Sequence, residues 1–342
     1  MTVDLQAQDM ARRRWDCLTK PKGSLGRLEE VGIRYAGMTG WPIPPVHRKV
    51  IFTVAADHGV TAEGVSSYPQ SVTAQMVNNF LSGGAGINVL ARHVGAEVLV
   101  VDAGVAGPVP EGQGLLLAKV RPGTGNMVKV PAMDRDEAQR VIEEGSRIFQ
   151  EQHRRQRIDL VGLGDMGIGN TTASAALTAL FLNAPVAQVT GRGTGLTDEM
   201  LSNKIRVIEK ALTLHRPDPK DPMGCLAAVG GLEIGCLAGI ALAAARERVP
   251  VVLDGFITSA AALVAVSLVP SVRDFLFASH RSVEPGHSLI LQALDCAPLV
   301  DFSLRLGEGT GAALGIFLIE ASLKLLSEMA TFQEAHVSEK MT

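Results

Sequence analysis

Glu308 stands between Gly307 and Gly309 in LRLGEGTGAALG (304–315), a lone carboxylate at the mouth of an apolar run. Flanking glycines let backbone approach a ligand closely, and an acid left as the only titratable group in an apolar pocket has its pKa raised by desolvation. Such a group accepts a proton near neutral pH. A second role is open to the same residue, since an acid in the first turn of a helix complements its dipole.

Other stretches carry binding chemistry. Residues 162–167 satisfy GxGxxG directly after a β-branched run, the pattern of a dinucleotide turn. However, residues 180–197 contain no Asp or Glu, so the acid that would hold an adenosine ribose is missing. The loop runs on through Gly169, Asn170, Thr171 and Thr172, with its helix expected from about Ala173. It reads as an anion cradle of backbone N–H groups and Thr hydroxyls suited to a monophosphate, or as a Gly-rich turn with a Thr cap. Gly191, Gly193 and Gly195 form a second such loop, with Lys204 two turns into the following helix. Neither loop is followed by GK[ST], which disfavours a nucleoside triphosphate. Asp57-His58 has metal-ligand chemistry or forms a capped turn. His280, Glu284 and His287 have loose ligand spacing, but Pro285 breaks any helix that would align them. Residues 66–70, SSYPQ, form a polar loop able to close over a ligand.

These residues need elements to position them. Runs at 50–57, 96–104, 158–165, 184–193 and 249–255 read as strands. Helical stretches at 73–83, 134–155 and 197–215 lie among them. The alternation predicts an α/β fold, a Rossmann-like, mostly parallel sheet flanked by helices. Ligands in such sheets bind outside the carboxyl ends of the strands, where the acids and glycine loops above fall. The two chain ends are expected to pack as a small helical domain, 1–36 with 310–342, beside a large α/β domain at 37–309.

Composition narrows the class. The 342 residues are 46% hydrophobic and 20% charged, with aromatics at 4% and a net charge of -3. Few stacking platforms and no basic excess argue against nucleic acid. Cys17, Cys225, Cys236 and Cys296 have no CxxC or zinc spacing and read as free thiols of a reducing cytoplasm. The N-terminus has no signal-peptide core. The apolar window 255–272 is interrupted by Thr258, Ser259, Ser267 and Pro270, so a buried strand and helix are expected there rather than a membrane span.

Taken in order, TKPKGSLGRLE, AADHGVTAEGVSSYPQSVTAQM, GDMGIGNTTASAA, GRGTGL, LDGFITSAAAL, SHRSVEPGH and LRLGEGTGAALG resemble the nicotinate-nucleotide–dimethylbenzimidazole phosphoribosyltransferase family over residues 19–315. The resemblance implies a homodimeric enzyme of cobalamin lower-ligand synthesis. It would move the 5-phosphoribosyl group of nicotinate mononucleotide to 5,6-dimethylbenzimidazole, without metal or other cofactor. It places the general base at Glu308 and a supporting acid at Asp165, where family members often have Glu. It places base contacts at Ser67, Tyr68, Gln75 and Leu306. Phosphate and ribose contacts fall at Gly167, Ile168, Gly169, Asn170, Gly193, Lys204, Ser282 and Gly307. The rivals are a nicotinamide-dependent oxidoreductase, a catalytically silent nucleotide-binding module, and a Mg²⁺-dependent transferase using pyrophosphorylated ribose. The last typically needs an adjacent acidic pair, and Asp254-Gly255 lacks one.

Overall fold

The computed structural model describes residues 2–110, 114–193 and 195–338; Thr194 of the second glycine loop and the tail from 339 lie outside it. Its centre is a parallel sheet of β1 (Lys49–Ala56), β2 (Glu97–Gly104), β3 (Leu115–Leu117), β4 (Leu160–Met166), β5 (Val251–Leu253) and β6 (Leu276–Ala278). The strand order is β3-β2-β1-β4-β5-β6, that of the doubly wound dinucleotide folds, whose switch point lies between the first and fourth strands. Here that point is the seam where β1 pairs with β4, Thr53 opposite Gly164.

β1 is buried along its whole length, because helices cover both faces of the sheet. Side chains alternate along a strand. Accordingly, Ile51 lies near where a side chain on Gly309 would point, whereas Phe52 meets Phe149 of the Arg135–Arg155 helix, with ring centroids 6.5 Å apart. Asp134 caps that helix by accepting from Glu137 N–H at 2.7 Å, while Glu137 returns a carboxylate to Asp134 N–H. This reciprocal box explains its sharp start.

The chain ends meet. Ala11, Trp15, Leu18, Ala36 and Leu326 form a cluster apart from the main core, and Leu18 bridges to Thr331. The Thr310–Glu328 helix is long and apolar enough to cross a membrane by length and composition. It instead buries Ile316, Ile319 and Leu323 in the main core.

Two expectations need correction, and two short strands go unread. Residues 184–193, which read as a strand, hold a short helix, Val186–Val189, and a loop; Pro185 presets helical φ at the helix start. The helix expected from about Ala173 begins at Asn170. Strands β3 and β6 escape a reading of the sequence, being three residues each, too short to show alternation.

Candidate active site

Gly307, Glu308 and Gly309 have φ of +88°, +65° and +98°, three successive left-handed residues of which only the glycines adopt that region without cost. For Glu308 the conformation costs about 1–2 kcal/mol, so the surroundings must enforce it. Thr53 Oγ1 donates to Glu308 O at 2.9 Å, and Glu308 N–H donates to Asp165 O at 3.2 Å. Asp254, at the carboxyl end of β5, accepts from Gly309 N–H at 2.9 Å, Gly311 N–H at 2.6 Å and Ala312 N–H at 3.2 Å. The strap is thus bonded to β1, β4 and β5 at once, and the same Asp254 caps the last helix.

Glu308 is 6% exposed, and burial pushes its carboxyl up against the restraining N–H of Ile87. That N–H, in the first turn of the Gly86–Val94 helix, meets Oε2 at 3.4 Å. Asp165, fully enclosed, is pushed well up by burial first and then by the Asp254 and Glu233 carboxylates. Its Oδ2 accepts from Asn170 Nδ2 at 3.0 Å, while Oδ1 is buried without a partner. Burial likewise lifts Asp254 to about 7, opposed by its three backbone donors.

Glu308 and Asp165 face a cleft of about 410 Å³ outside the strand ends, with Asp254 buried behind the strap. Its lining includes Tyr68, Asp165, Gly167, Ile168, Asn170, Gly193, Ser282, Leu306, Gly307 and Glu308, all expected from sequence. Ser67 and Gln75 are exposed and absent from the lining; the Val72–Leu81 helix turns Val72 and Met76 to the cleft instead. Lys204 is fully buried behind it, donating to Thr171 Oγ1 at 2.7 Å and Gly191 O at 3.3 Å. Burial lowers its pKa to about 8.

The expected row of free amides is partly engaged. Ile168 N–H donates to Thr73 Oγ1 at 3.1 Å, Asn170 N–H to Gly167 O at 3.0 Å, and Gly193 N–H to Glu284 Oε1 at 2.8 Å. Nor is the GxGxxG segment a pyrophosphate turn, because Gly162 and Gly164 lie inside β4. A Cβ on Gly164 would overlap the Glu308 carbonyl, and one on Gly162 would stand 2.9 Å from Ile51 Cγ1. Gly164 thus serves packing of the strap on the sheet, and Gly162 the packing of Ile51 and the Thr310–Glu328 helix.

The suggested metal ligands are committed elsewhere. His58 Nε2 meets Glu233 Oε1 at 2.8 Å, both buried, behind the turn at Gly167. His287 Nδ1 accepts from Ser282 N–H at 2.9 Å, so its Nε2–H faces Ser259 Oγ, also at 2.9 Å. Burial drives this imidazole down to about 3, and it stays neutral. Among the described residues, no group of three or more His, Cys, Asp or Glu is placed to hold a metal ion.

Sequence reasoning misses Phe256, His280, Glu284 and Arg305 as cleft residues. Phe256 carries a usable signal, a rare aromatic directly after the carboxyl end of a strand. Glu284 and His280 stand out in the sequence only by their metal-ligand spacing.

Comparison with known proteins agrees with this geometry. A phosphoribosyltransferase family model matches residues 1–337. The nicotinate-nucleotide–dimethylbenzimidazole phosphoribosyltransferase of Geobacter sulfurreducens is 56% identical over 98% of this chain and 96% of its own length. That of Chloroflexus aggregans is 55% identical over 99% and 96%. The crystal structure of CobT from Thermus thermophilus superimposes with a TM-score of 0.94 at 48% identity, covering 98% of this chain and 100% of that one. The chain is therefore an enzyme that belongs to the nicotinate-nucleotide–dimethylbenzimidazole phosphoribosyltransferase family.

Proposed function

We propose that the enzyme transfers the 5-phosphoribosyl group of nicotinate mononucleotide to 5,6-dimethylbenzimidazole, releasing nicotinate and α-ribazole 5′-phosphate for the cobalamin lower ligand, with Glu308 as general base. The observation that carries this reading is the desolvated Glu308 carboxylate, fixed by the strap in the wall of a cleft behind whose Thr171 and Gly193 lining the buried Lys204 stands.

Neutral benzimidazole must lose its ring N–H as its other nitrogen attacks C1′, and a carboxylate with raised pKa is a fitting acceptor. Two buried carboxyls share the region, and their environments divide the work. Asp165, more enclosed and facing other acids, has its carboxyl pushed well up and takes the supporting role; Glu308, raised by burial and opposed by the Ile87 N–H, takes the role of base. The departing nicotinate leaves from a pyridinium whose nitrogen becomes neutral as the bond breaks, so it needs neither protonation nor a metal. Attack opposite the leaving group converts a β-nucleotide into an α-product in one displacement.

Leu306 and Tyr68, 62% and 54% exposed at the mouth, offer apolar surface for the aromatic base beside Glu308; Ser67 and Gln75, which stand outside the lining, would have to turn inward from the 66–75 segment to touch it. Phosphate and ribose lie toward Gly167, Ile168, Gly169, Asn170, Gly193, Ser282 and Gly307, with Lys204 supplying charge. The working form is a cytoplasmic homodimer, checked by sedimentation.

The reaction is tested by product analysis with both substrates and no added metal, beside Glu308→Gln. Nicotinate release with the α-anomer in wild type, and a large loss of rate in the variant, supports the reading. A silent wild type, or a variant of normal rate, removes the reaction or the base respectively.

A further inference from the structure

Glu284 is the N-cap of the Pro285–Ala293 helix, yet its side chain makes no cap bond to that helix. It reaches across to another loop, where Oε1 accepts from Gly193 N–H at 2.8 Å. Its second oxygen, Oε2, is buried with no hydrogen-bond partner, and the residue is 6% exposed while lining the cleft. Gly191 leaves room for the carboxylate, which a Cβ there would overlap. The charge also reaches Lys204, where Glu284 opposes the lowering caused by burial. An anion therefore already sits on a glycine-loop amide and within the field of the buried ammonium.

We infer that Glu284 is an internal surrogate for the substrate phosphate: before substrate binds, its carboxylate occupies the Gly193 amide and screens Lys204, and an incoming phosphate monoester displaces it. This rests on the phosphate end of the cleft being where the proposed function puts it. Two anions cannot share one N–H donor in a desolvated site, since like charges there disfavour each other strongly. The surrogate keeps Gly191, Gly193 and Lys204 arranged before substrate arrives, at the cost of competing with it. Ser282 Oγ, which accepts from the Glu284 backbone N–H at 3.4 Å, lies beside the hinge about which the side chain must swing.

Calorimetric titration with inorganic phosphate, and then with nicotinate mononucleotide, tests this in wild type, Glu284→Gln and Glu284→Ala. Removing the competing charge should tighten both ligands in both variants, by about fivefold or more. Unchanged binding in Glu284→Gln, or weaker binding in Glu284→Ala, means that the residue is a fixed brace of the loop and overturns the inference. Wild type alone provides a second check, independent of how the variants fold. The Gly193 amide resonance and the Glu284 carboxyl resonance must both move as phosphate saturates the site; if either stays fixed, the exchange does not occur. Product formation in the same wild-type preparation separates the two readings. Displacement without transfer leaves the surrogate standing and removes the reaction, whereas transfer without displacement does the reverse.

Discussion

The two ends of the cleft are built by opposite means. At the Glu308 end, a strap of left-handed backbone is bonded to three strands, and the functional acid is left with one long contact, from Ile87 N–H. At the Lys204 end, the charge comes from the Asp198–His215 helix, which packs on the Asn170–Phe181 helix, and is held by a hydroxyl and a carbonyl, with a carboxylate across the loop. One end fixes backbone around a single acid. The other is held by side-chain bonds alone. On the proposed mechanism, preorganisation would be concentrated where a proton moves, and exchangeable bonds where a ligand binds.

If this division holds, variants at the two ends should fail differently. The largest effect belongs to Glu308→Gln, which keeps the shape and removes the proton acceptor: kcat should fall by about 10²–10⁴-fold, with the KM for nicotinate mononucleotide within a few fold. A raised KM with intact kcat would erase the contrast. The rate of wild type should also decline as pH falls through the raised Glu308 pKa, because the base is lost on protonation; the variant should lack that limb.

Lys204→Met should act in the opposite column, weakening nucleotide binding by about 10–100-fold, the worth of a charge-assisted hydrogen bond. Its titration sharpens the point. The ammonium is charged below about 8 and neutral above, so affinity for the nucleotide should fall as pH rises through that value. Binding measured across that pH range would show this, and a flat profile would mean that Lys204 does not meet the phosphate.

Asp254→Asn leaves one oxygen for three N–H donors and should destabilise the protein by about 2–3 kcal/mol, read by denaturant unfolding. If the strap is pinned as described, kcat should drop as well, since Glu308 loses its anchor. The smallest effect is expected at Gln75. Gln75→Ala should change preference among benzimidazoles by less than about tenfold, because Gln75 is exposed outside the cleft lining and falls short of the about 1–3 kcal/mol of a direct pocket contact. Unaltered preference would take the 66–75 segment out of base selection.

Much of this is legible in the chain. The long strands β1, β2 and β4 carry continuous apolar runs because both faces are covered, and the 21-residue helix Arg135–Arg155 announces its start through Asp134 and Glu137. Glu308 stands out by its flanking glycines, whereas Lys204 is singled out by the family resemblance and not by its setting on a helix face. What stays hidden depends on distance along the chain. The run at 184–193 has strand-like residues, but Pro185 and the packing of neighbouring helices decide otherwise. The glycines of 162–167 look like a cofactor turn until the Glu308 carbonyl is seen against Gly164. Glu284 meets Gly193 across 91 positions, and no local pattern reports such a partner.

The left-handed geometry at residue 308 sets folding against catalysis. A glycine there would adopt φ near +65° freely and relieve about 1–2 kcal/mol of conformational tension, and one nucleotide change in a Glu codon reaches Gly. A chain released from selection for transfer would be drawn toward Glu308→Gly by stability alone, ending as a sturdier protein with no proton acceptor in its catalytic seat. If Glu308 is the proposed base, the acid stands there for chemistry and against the grain of the fold.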